Sequence, residues 1–294
     1  MRPNRLVKGT QTVDSACLQH TLTEEERRTF DETGLLIVPD ALPPDMVGRL
    51  EAALDRIYQE RRATDLGPHD GMFQPNFVGR DPLFLDLLDW PAVFPKVWGI
   101  LGWNIYLYHG HCAVNPPADP ASPREKKTLG WHQDSGRVNA DMETHPRPRL
   151  SLKVAYFLSD CSETGRGNFH VIPGSHLRDT LERPTDGVSD PEGAVPVCVK
   201  PGTAVFFDRR LWHAASPNWS DVTRKALFYG YGYRWIRTKD DMVIPQEWFA
   251  ASSPIRQQLL GGAVNCNGRF TPSEADVPLR EWLREHAGDE AIAR

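Results

Sequence analysis

The feature that most constrains the fold is the stretch between about residues 103 and 236, where short β-branched, aliphatic and aromatic segments are separated by Gly- and Pro-containing turns. Such segments predict strands. A run of short strands of this kind favours a jelly-roll barrel. The sequence therefore predicts a mainly β fold with flanking helices, a double-stranded β-helix (jelly-roll, cupin-like) barrel. The predicted strands span 105–114, 128–132, 150–158, 168–173, 195–199, 203–207 and 224–235.

Helices are predicted on both sides of these strands. Thr23 precedes three glutamates, and a capping residue followed by acids in the first turn predicts a helix that ends at Gly34. Pro43 and Pro44 begin a second helix, whose apolar positions recur at helical spacing. The predicted helices span about 23–32, 43–61, 91–101, 245–260 and 278–292, and a further strand spans 35–38.

The length of 294 residues fits one large domain. No internal repeat is visible, and the 25 prolines punctuate loops rather than forming a linker. We expect a single domain over 1–294. It would have a barrel core at about 103–236, an N-terminal helical support at about 20–102 and a C-terminal helical cover at about 240–294.

Charge and cysteine content restrict the partners and the location. Lys and Arg number 34 against 39 Asp and Glu, a net charge of −5, so no basic field favours nucleic acid. The longest aliphatic run, 35–38, is far shorter than the roughly 20 residues that cross a bilayer. Residues 1–20 lack the apolar core of a signal peptide, and the five cysteines are widely spaced and odd in number. We expect a cytoplasmic protein, monomer or homodimer, that acts on a small molecule and binds neither nucleic acid nor membrane.

Three potential metal ligands lie in the predicted barrel. Residues two apart on a strand project from the same face, so His132 and Asp134 can offer an imidazole and a carboxylate to one ion, and His213 completes the set. Two histidines and one carboxylate on one face of an octahedron leave positions open, which suits Fe(II) better than the closed tetrahedral sites of structural zinc. Gln133 faces away from the ion by the same alternation and is expected to hydrogen-bond to the loops that hold the ligands.

Two cations are candidates for binding an anion. Arg224 lies eleven positions after His213, at the start of a predicted strand, and can hold a carboxylate through two parallel charge-assisted hydrogen bonds. Lys153 lies in a strand of otherwise apolar or small residues, and a buried ammonium needs an anionic partner. A lysine on the outer face, with its ammonium in water, is an equally open alternative.

The segments Trp131-His132-Gln133-Asp134 and Val171-Ile172-Pro173-Gly174-Ser175-His176, followed by His213 and Arg224, resemble the phytanoyl-CoA dioxygenase family of Fe(II)/2-oxoglutarate oxygenases over roughly residues 20–240. The resemblance implies a non-haem dioxygenase of hydroxylase type. Such an enzyme uses Fe(II), 2-oxoglutarate and O2, with ascorbate as an in vitro reductant, and oxidises a C–H bond with release of succinate and CO2. Under this resemblance, His132, Asp134 and His213 are the metal ligands, and Arg224 and Asn115 bind 2-oxoglutarate. Lys153, if buried, could join Arg224 at 2-oxoglutarate or meet an acidic substrate. His176 is expected to satisfy a turn rather than bind metal.

The long polar segment 136–149 directly follows the metal strand and predicts a lid that excludes water, with a plain solvated loop as the alternative. Its arginines, Arg137, Arg147 and Arg149, suggest a cationic entrance and an anionic substrate. Pairing of these arginines with Asp141 and Glu143 is the open alternative. The candidate substrate residues are Arg137, Gln74, Asn76 and His111.

Two other function classes stay open. A cupin-like non-oxidative metalloenzyme would turn over without oxygen, but Arg224 argues against it. A catalytically silent protein would bind 2-oxoglutarate without forming succinate, but the complete set of three ligands argues against it. The sequence does not identify the substrate, nor does it separate hydroxylation from desaturation, cyclisation or endoperoxidation.

Overall fold

The computed structural model describes residues 13–124, 127–262 and 277–293. Its strands are β1 (Leu35–Val38), β2 (Met72–Pro75), β3 (Ile105–Asn115), β4 (Ser151–Phe157), β5 (Phe169–Val171), β6 (Val195–Val197), β7 (Ala204–Asp208), β8 (His213–Ala215) and β9 (Arg224–Tyr233). Its α-helices are α1 (Glu24–Thr33), α2 (Pro44–Arg62), α3 (Pro82–Asp86), α4 (Phe94–Leu101), α5 (Gly136–Asp141), α6 (Gln246–Ala251), α7 (Pro254–Leu259) and α8 (Pro278–Ala287). Short 3-10 helices span Ser15–His20, Val78–Arg80, Ser175–Leu177 and Asp289–Ile292.

The helix boundaries follow local chemistry. Gly34 ends α1 with a φ of 73°, a left-handed conformation that glycine adopts without steric cost. A Cβ at this position would lie 2.7 Å from the Nδ1 of His176, so space as well as backbone conformation requires glycine. Pro44 is the first residue of α2, where its missing N–H costs no intrahelical hydrogen bond.

The strands form a six-stranded sheet with the order β1-β7-β4-β9-β3-β2 and a three-stranded sheet with the order β6-β5-β8. β7 pairs antiparallel with β1 and β4, and β5 pairs antiparallel with β6 and β8. The predicted fold class, mainly antiparallel β with flanking helices, is confirmed.

A buried apolar cluster fills the space between the two sheets. Alternate residues of β4, β7 and β9 enter it from one sheet, and Phe169 and Val171 of β5 enter it from the other. The rings of Phe169 and Phe207 lie 4.9 Å apart across this space. This period of two is the pattern of sheets that pack face to face. The members from the six-stranded sheet include Ala155, Phe157, Val205, Phe207, Ala226 and Phe228.

The described residues form two compact units, each built from separate stretches of chain. The first contains the residues up to Thr23, Pro75–His111 and those from Tyr229 onward. The second contains Glu24–Gln74 and Cys112–Phe228, and all three potential metal ligands belong to it. The single domain expected over 1–294 stays a prediction.

The segment 128–132 differs from its prediction. It is not a regular strand, because its one ladder pair is an isolated bridge between His132 and His213. The apolar residues that suggested a strand, Leu129 and Trp131, pack instead in a small cluster with Ile172.

Other boundaries also differ. Part of the predicted lid is helix α5, the predicted helix at 245–260 is two short helices, and β8 was not predicted.

In the described part of the chain, no helix is long and apolar enough to cross a membrane. Cys17, Cys112 and Cys161 are buried free thiols and Cys198 is an exposed one, whereas Cys266 lies outside the described residues, as does the stretch 263–276 of the predicted C-terminal cover.

Candidate metal centre

Three side chains of the second unit converge on one point. One ligand atom from each of His132, Asp134 and His213 lies within 4.8 Å of the other two. Asp134 and His213 are buried, whereas His132 is exposed. The group is therefore open to solvent on the His132 side, which is where a small molecule would approach.

The backbone sets the two histidines side by side. The N–H of His132 donates to the carbonyl of His213 over 3.0 Å, and the N–H of His213 donates back over 3.0 Å. Residues that pair in this way project to the same face of a sheet. The two imidazole centroids are 4.3 Å apart as a result.

Each imidazole is oriented by a carbonyl two residues earlier. His132 Nδ1 lies 2.9 Å from the Gly130 oxygen, and His213 Nδ1 lies 2.8 Å from the Leu211 oxygen. A carbonyl can only accept, so each Nδ1 carries the hydrogen and each Nε2 keeps its lone pair. This is the arrangement by which outer hydrogen bonds orient metal-binding histidines.

The Asp134 carboxylate divides its two oxygens between two roles. Oδ1 accepts from the Lys153 ammonium at 2.8 Å, and both side chains are buried. Oδ2 is buried without a hydrogen-bond partner. A buried carboxylate oxygen without a partner is costly, and a cation shared with the two Nε2 atoms would remove this cost. The residues present therefore fit a divalent metal such as Fe(II).

Electrostatics keep Asp134 and His213 in the forms that bind metal. Burial opposes ionisation of Asp134, but the Lys153 ammonium and the two histidines outweigh it and hold the pKa of the carboxyl below its usual range. Burial lowers the pKa of His213 to about 4, against the opposing charge of Asp134. His213 is thus a neutral imidazole at pH 7, which is the form that binds a metal.

The turn between β7 and β8 supports two of the ligands. The carbonyl of Arg209 accepts from the N–H of Asp134 at 2.9 Å, and the carbonyl of Leu211 accepts from His213. Asp208 fixes this turn, because its buried carboxylate accepts from Arg210 over 2.7 and 2.9 Å and from Arg149 over 2.7 Å. Burial opposes ionisation of Asp208, but these arginines lower its pKa overall.

Arg224 is a buried cation that lacks an anionic partner within the described residues. It is 7% exposed, and its Nε is buried without a hydrogen-bond partner. Burial lowers the pKa of its guanidinium. Arg224 shares a face of β9 with Ala226 and Phe228, which belong to the cluster between the sheets. The ring of His213 contacts Phe207 of this cluster, with centroids 5.2 Å apart.

The structure gives the other predicted co-substrate residues local partners. Lys153 contacts the metal-ligand candidate Asp134 rather than a free anion site. The Asn115 amide donates to the carbonyl of Ser216 over 3.5 Å. Gln133 donates to the carbonyls of Arg178 and Arg210, which are loop contacts of the expected kind. The roles of Lys153 and Asn115 toward 2-oxoglutarate stay predictions.

The four candidate substrate residues also have contacts of their own. Arg137 is exposed on α5 and pairs with Asp141 at 2.8 Å. Gln74 accepts from Arg61 at 2.8 Å. Asn76 and His111 belong to the first unit, where Asn76 Oδ1 accepts from the N–H of Met242 and His111 Nδ1 lies 3.1 Å from His109 Nε2. Their substrate roles stay predictions.

The predicted cationic entrance is largely neutralised. Arg147 pairs with Asp179 at 3.2 Å, and Arg149 pairs with Asp208 and Asp31. The alternative for this segment was that its arginines pair with Asp141 and Glu143. Of these two acids, it is Asp141 that pairs with one of the arginines, Arg137. His176 is buried in a 3-10 turn and contacts the carbonyl of Asp31 at 3.1 Å, in keeping with a structural role.

Sequence reasoning missed three residues near the ligands. Asn139 of α5 is buried, donates to the carbonyl of Asp134 at 3.0 Å and accepts from Arg209 at 2.6 Å. Asp208 accepts from Arg210 in the turn before His213, and Asp190 accepts from the N–H of Leu129 in the segment before His132. Asn139 lies on α5, Asp208 at the end of β7 and Asp190 in a loop, and no spacing in the sequence distinguishes them.

Two histidines and one carboxylate that converge from a fold of packed sheets form a donor set suited to a non-haem metal enzyme with open coordination positions. The chain matches the family model "Phytanoyl-CoA dioxygenase (PhyH)" over residues 30–226 and therefore belongs to this family of Fe(II)- and 2-oxoglutarate-dependent enzymes. It is 28% identical to an uncharacterized protein of Mycobacterium tuberculosis, with 82% of this chain and 88% of that protein covered. It is 25% identical to the peroxisomal phytanoyl-CoA dioxygenase of Mus musculus, with 72% and 69% covered.

Solved structures share the fold. HygX from Streptomyces hygroscopicus, solved with nickel, 2-oxoglutarate and hygromycin B, superposes with a TM-score of 0.57 at 18% identity, over 74% of this chain and 90% of that one. The α-ketoglutarate-dependent carbocyclase SnoK from nogalamycin biosynthesis superposes with a TM-score of 0.55 at 24% identity, over 72% and 85%. At these identities the likeness establishes the jelly-roll fold.

Proposed function

We propose that this protein is a dioxygenase that couples the oxidation of 2-oxoglutarate to succinate and CO2 with the hydroxylation of a C–H bond in a small molecule. His132, Asp134 and His213 hold Fe(II), and Arg224 holds the distal carboxylate of 2-oxoglutarate. The proposal rests on two unsatisfied charges in the second unit. A buried oxygen of Asp134 lacks a cation, and the buried guanidinium of Arg224 lacks an anion.

Each residue has a task that follows from its contacts. The two carbonyl-oriented imidazoles and Asp134 Oδ2 bind the metal, while Lys153 holds Asp134 Oδ1 and so favours one-oxygen coordination. Arg224 offers a planar fork that matches a carboxylate, in a site where low polarity strengthens the pair. The bound metal supplies the activation of dioxygen. The protein supplies placement of the co-substrate and the substrate.

Hydroxylation is the simplest outcome for an enzyme of this kind, but relatives on this fold carry out other oxidations. One structural neighbour is a carbocyclase. A small-molecule substrate is supported by another structural neighbour, which was solved with hygromycin B bound. The proposal includes a carboxylate-bearing or phosphorylated substrate held by Arg137, which pairs with Asp141 in this structure.

The test measures metal binding and turnover together. His132→Ala, Asp134→Ala and His213→Ala should each weaken Mn(II) binding in calorimetry and stop succinate formation from 2-oxoglutarate with Fe(II) and ascorbate. His170→Ala is the matched control, because His170 lies on β5 outside the ligand group. Near-normal metal affinity and turnover in any of the three variants would remove that residue from the ligand set.

The same assay separates the rival functions. Substrate conversion without oxygen would indicate a non-oxidative metalloenzyme. Binding of 2-oxoglutarate without succinate formation, across a broad panel of small metabolites, would indicate a silent binding protein.

A further inference from the structure

The segment that carries His132 lacks the support that a β-sheet normally gives. Between residues 128 and 134 the one ladder pair is His132 with His213. His132 is also the exposed member of the ligand group. Contacts from elsewhere in the fold must therefore hold the segment that carries His132 in place before metal binds.

A loop at residues 178–190, which we name the brace loop, makes that contact. The carboxylate of Asp190 accepts through Oδ1 from the backbone N–H of Leu129 at 2.9 Å and from the indole Nε1–H of Trp131 at 2.8 Å. Arg183 of the same loop donates to the carbonyl of Trp131 at 2.8 Å. Gln133 donates to the carbonyl of Arg178 at 3.0 Å.

These bonds enclose the residue that orients His132. Leu129 and Trp131 flank Gly130, and the N–H of Trp131 donates to the carbonyl of Leu129 at 2.8 Å, which closes a three-residue turn around Gly130. The Gly130 carbonyl accepts from His132 Nδ1 at 2.9 Å. The direction of that carbonyl sets the plane of the imidazole and the position of Nε2.

His213 has a different support. Its orienting carbonyl belongs to Leu211, whose N–H donates to the carbonyl of Asp208 at 2.9 Å within the turn after β7. The brace loop has no hydrogen bond to Leu211 or His213 among those the structure describes. The two imidazoles share the His132–His213 backbone pair but have different orienting carbonyls. The brace loop reaches the neighbourhood of His213 through the Trp212 indole, which donates to the carbonyl of Arg178 at 3.1 Å. The tautomers of the two rings provide an internal comparison.

We propose that Asp190 is a positioning residue for the metal centre, acting through Leu129, Trp131 and the Gly130 carbonyl to hold His132 in its metal-binding orientation. The inference rests on the proposed metal site. Removal of the carboxylate frees the turn, allows the His132 ring to rotate and lose its fixed tautomer, and lowers metal affinity without removing a ligand.

The experiment titrates metal-free protein with Mn(II) by calorimetry. Outer partners of metal-binding histidines typically change metal affinity by about 10- to 100-fold, so Asp190→Ala is expected to weaken Mn(II) by at least about 10-fold. Asp190→Asn keeps one oxygen acceptor, and Trp131→Phe removes just the indole donor, so each should fall between wild type and Asp190→Ala. These two variants carry the test if Asp190→Ala does not fold.

Asp186→Ala is the matched control. Asp186 is an aspartate of the same loop whose carboxylate accepts from Val188 and Ser189. It should leave Mn(II) affinity unchanged. In metal-free protein, 15N NMR should show a mixture of His132 tautomers in Asp190→Ala and an unchanged Nδ1–H tautomer for His213. A general loss of stability would not separate the two rings.

Two results would overturn the proposal. One is wild-type Mn(II) affinity together with an unchanged His132 tautomer in Asp190→Ala. The other is equal weakening in Asp186→Ala. The His132→Ala variant separates this failure from failure of the metal site itself, because wild-type affinity in His132→Ala would reject the ligand assignment, whatever Asp190→Ala does.

Discussion

Replacement of Arg224 by methionine should stabilise the protein and abolish its use of 2-oxoglutarate. Arg224 is 7% exposed, its Nε is buried without a hydrogen-bond partner, and its side chain has no ion pair among the described residues. Methionine is unbranched and adaptable, so it can occupy much of the space of the arginine stem without a charge. The variant therefore removes an uncompensated buried cation at little cost in packing.

The gain in stability and the loss of 2-oxoglutarate affinity in Arg224→Met can be estimated separately. Replacing buried ionic groups by apolar residues often stabilises a protein by about 1–4 kcal/mol. For a chain of roughly this size, each kcal/mol changes Tm by about 2–4 °C. Loss of a buried charge-assisted partner should cost 2-oxoglutarate about 2–4 kcal/mol of binding free energy. That cost corresponds to roughly 30- to 800-fold in Kd.

The assay compares thermal unfolding of metal-free protein with calorimetric binding of 2-oxoglutarate in the presence of Mn(II). Arg224→Met should raise Tm without ligands and lose the further rise that 2-oxoglutarate gives the wild type. Arg224→Lys should recover part of the affinity, because an ammonium lacks the planar fork. Arg166→Met is the control, because Arg166 already pairs with Asp160 and Glu163 and its loss should not stabilise the protein.

Unchanged 2-oxoglutarate affinity in Arg224→Met would refute the assigned role of Arg224. A lower Tm of the metal-free variant would refute the reasoning that the charge is uncompensated.

Three further predictions concern the charges around the ligands. Lys153→Met should make Mn(II) affinity fall more steeply on acidification, because burial then raises the pKa of Asp134 without the opposing ammonium. Mn(II) titrations at pH 6 and pH 8 would measure this effect. Parallel curves for the variant and the wild type would contradict it. Asp208→Asn should lower the free energy of unfolding by about 3–5 kcal/mol in urea at pH 7, because it breaks a buried pair with Arg210. The pKa of Asp208 is lowered in the folded protein, so its contribution to stability is present above the unfolded-state pKa of about 3.9 and is lost as pH falls through the folded-state pKa. The difference in free energy of unfolding between Asp208→Asn and wild type should therefore shrink below about pH 4. A difference that stays constant with pH would contradict this. Once a substrate is known, Arg137→Ala should raise its KM and leave 2-oxoglutarate affinity unchanged, whereas an unaffected KM would leave Arg137 as the surface partner of Asp141.

The sequence determined the parts of this protein that depend on local pattern. Short β-branched, aliphatic and aromatic segments between Gly and Pro turns predicted most strands, because such residues fit a buried pleated sheet. The glutamates after Thr23 and the glycine at position 34 predicted α1 closely, because helix ends are set by neighbouring residues. The order of His132, Asp134, His213 and Arg224 predicted the candidate site, because metal and carboxylate chemistry accepts few residue types.

Tertiary structure decided which charges are satisfied and what holds the ligands. The sequence left open whether Lys153 is buried beside an anion or exposed; folding buries it against Asp134, and the arginines of the predicted lid meet Asp179, Asp208 and Asp31. The segment before His132 has apolar residues typical of a strand, yet loop contacts through Asp190 replace the ladder. Partners far apart along the chain meet because the sheets bring them together, and no spacing in a sequence encodes those distances.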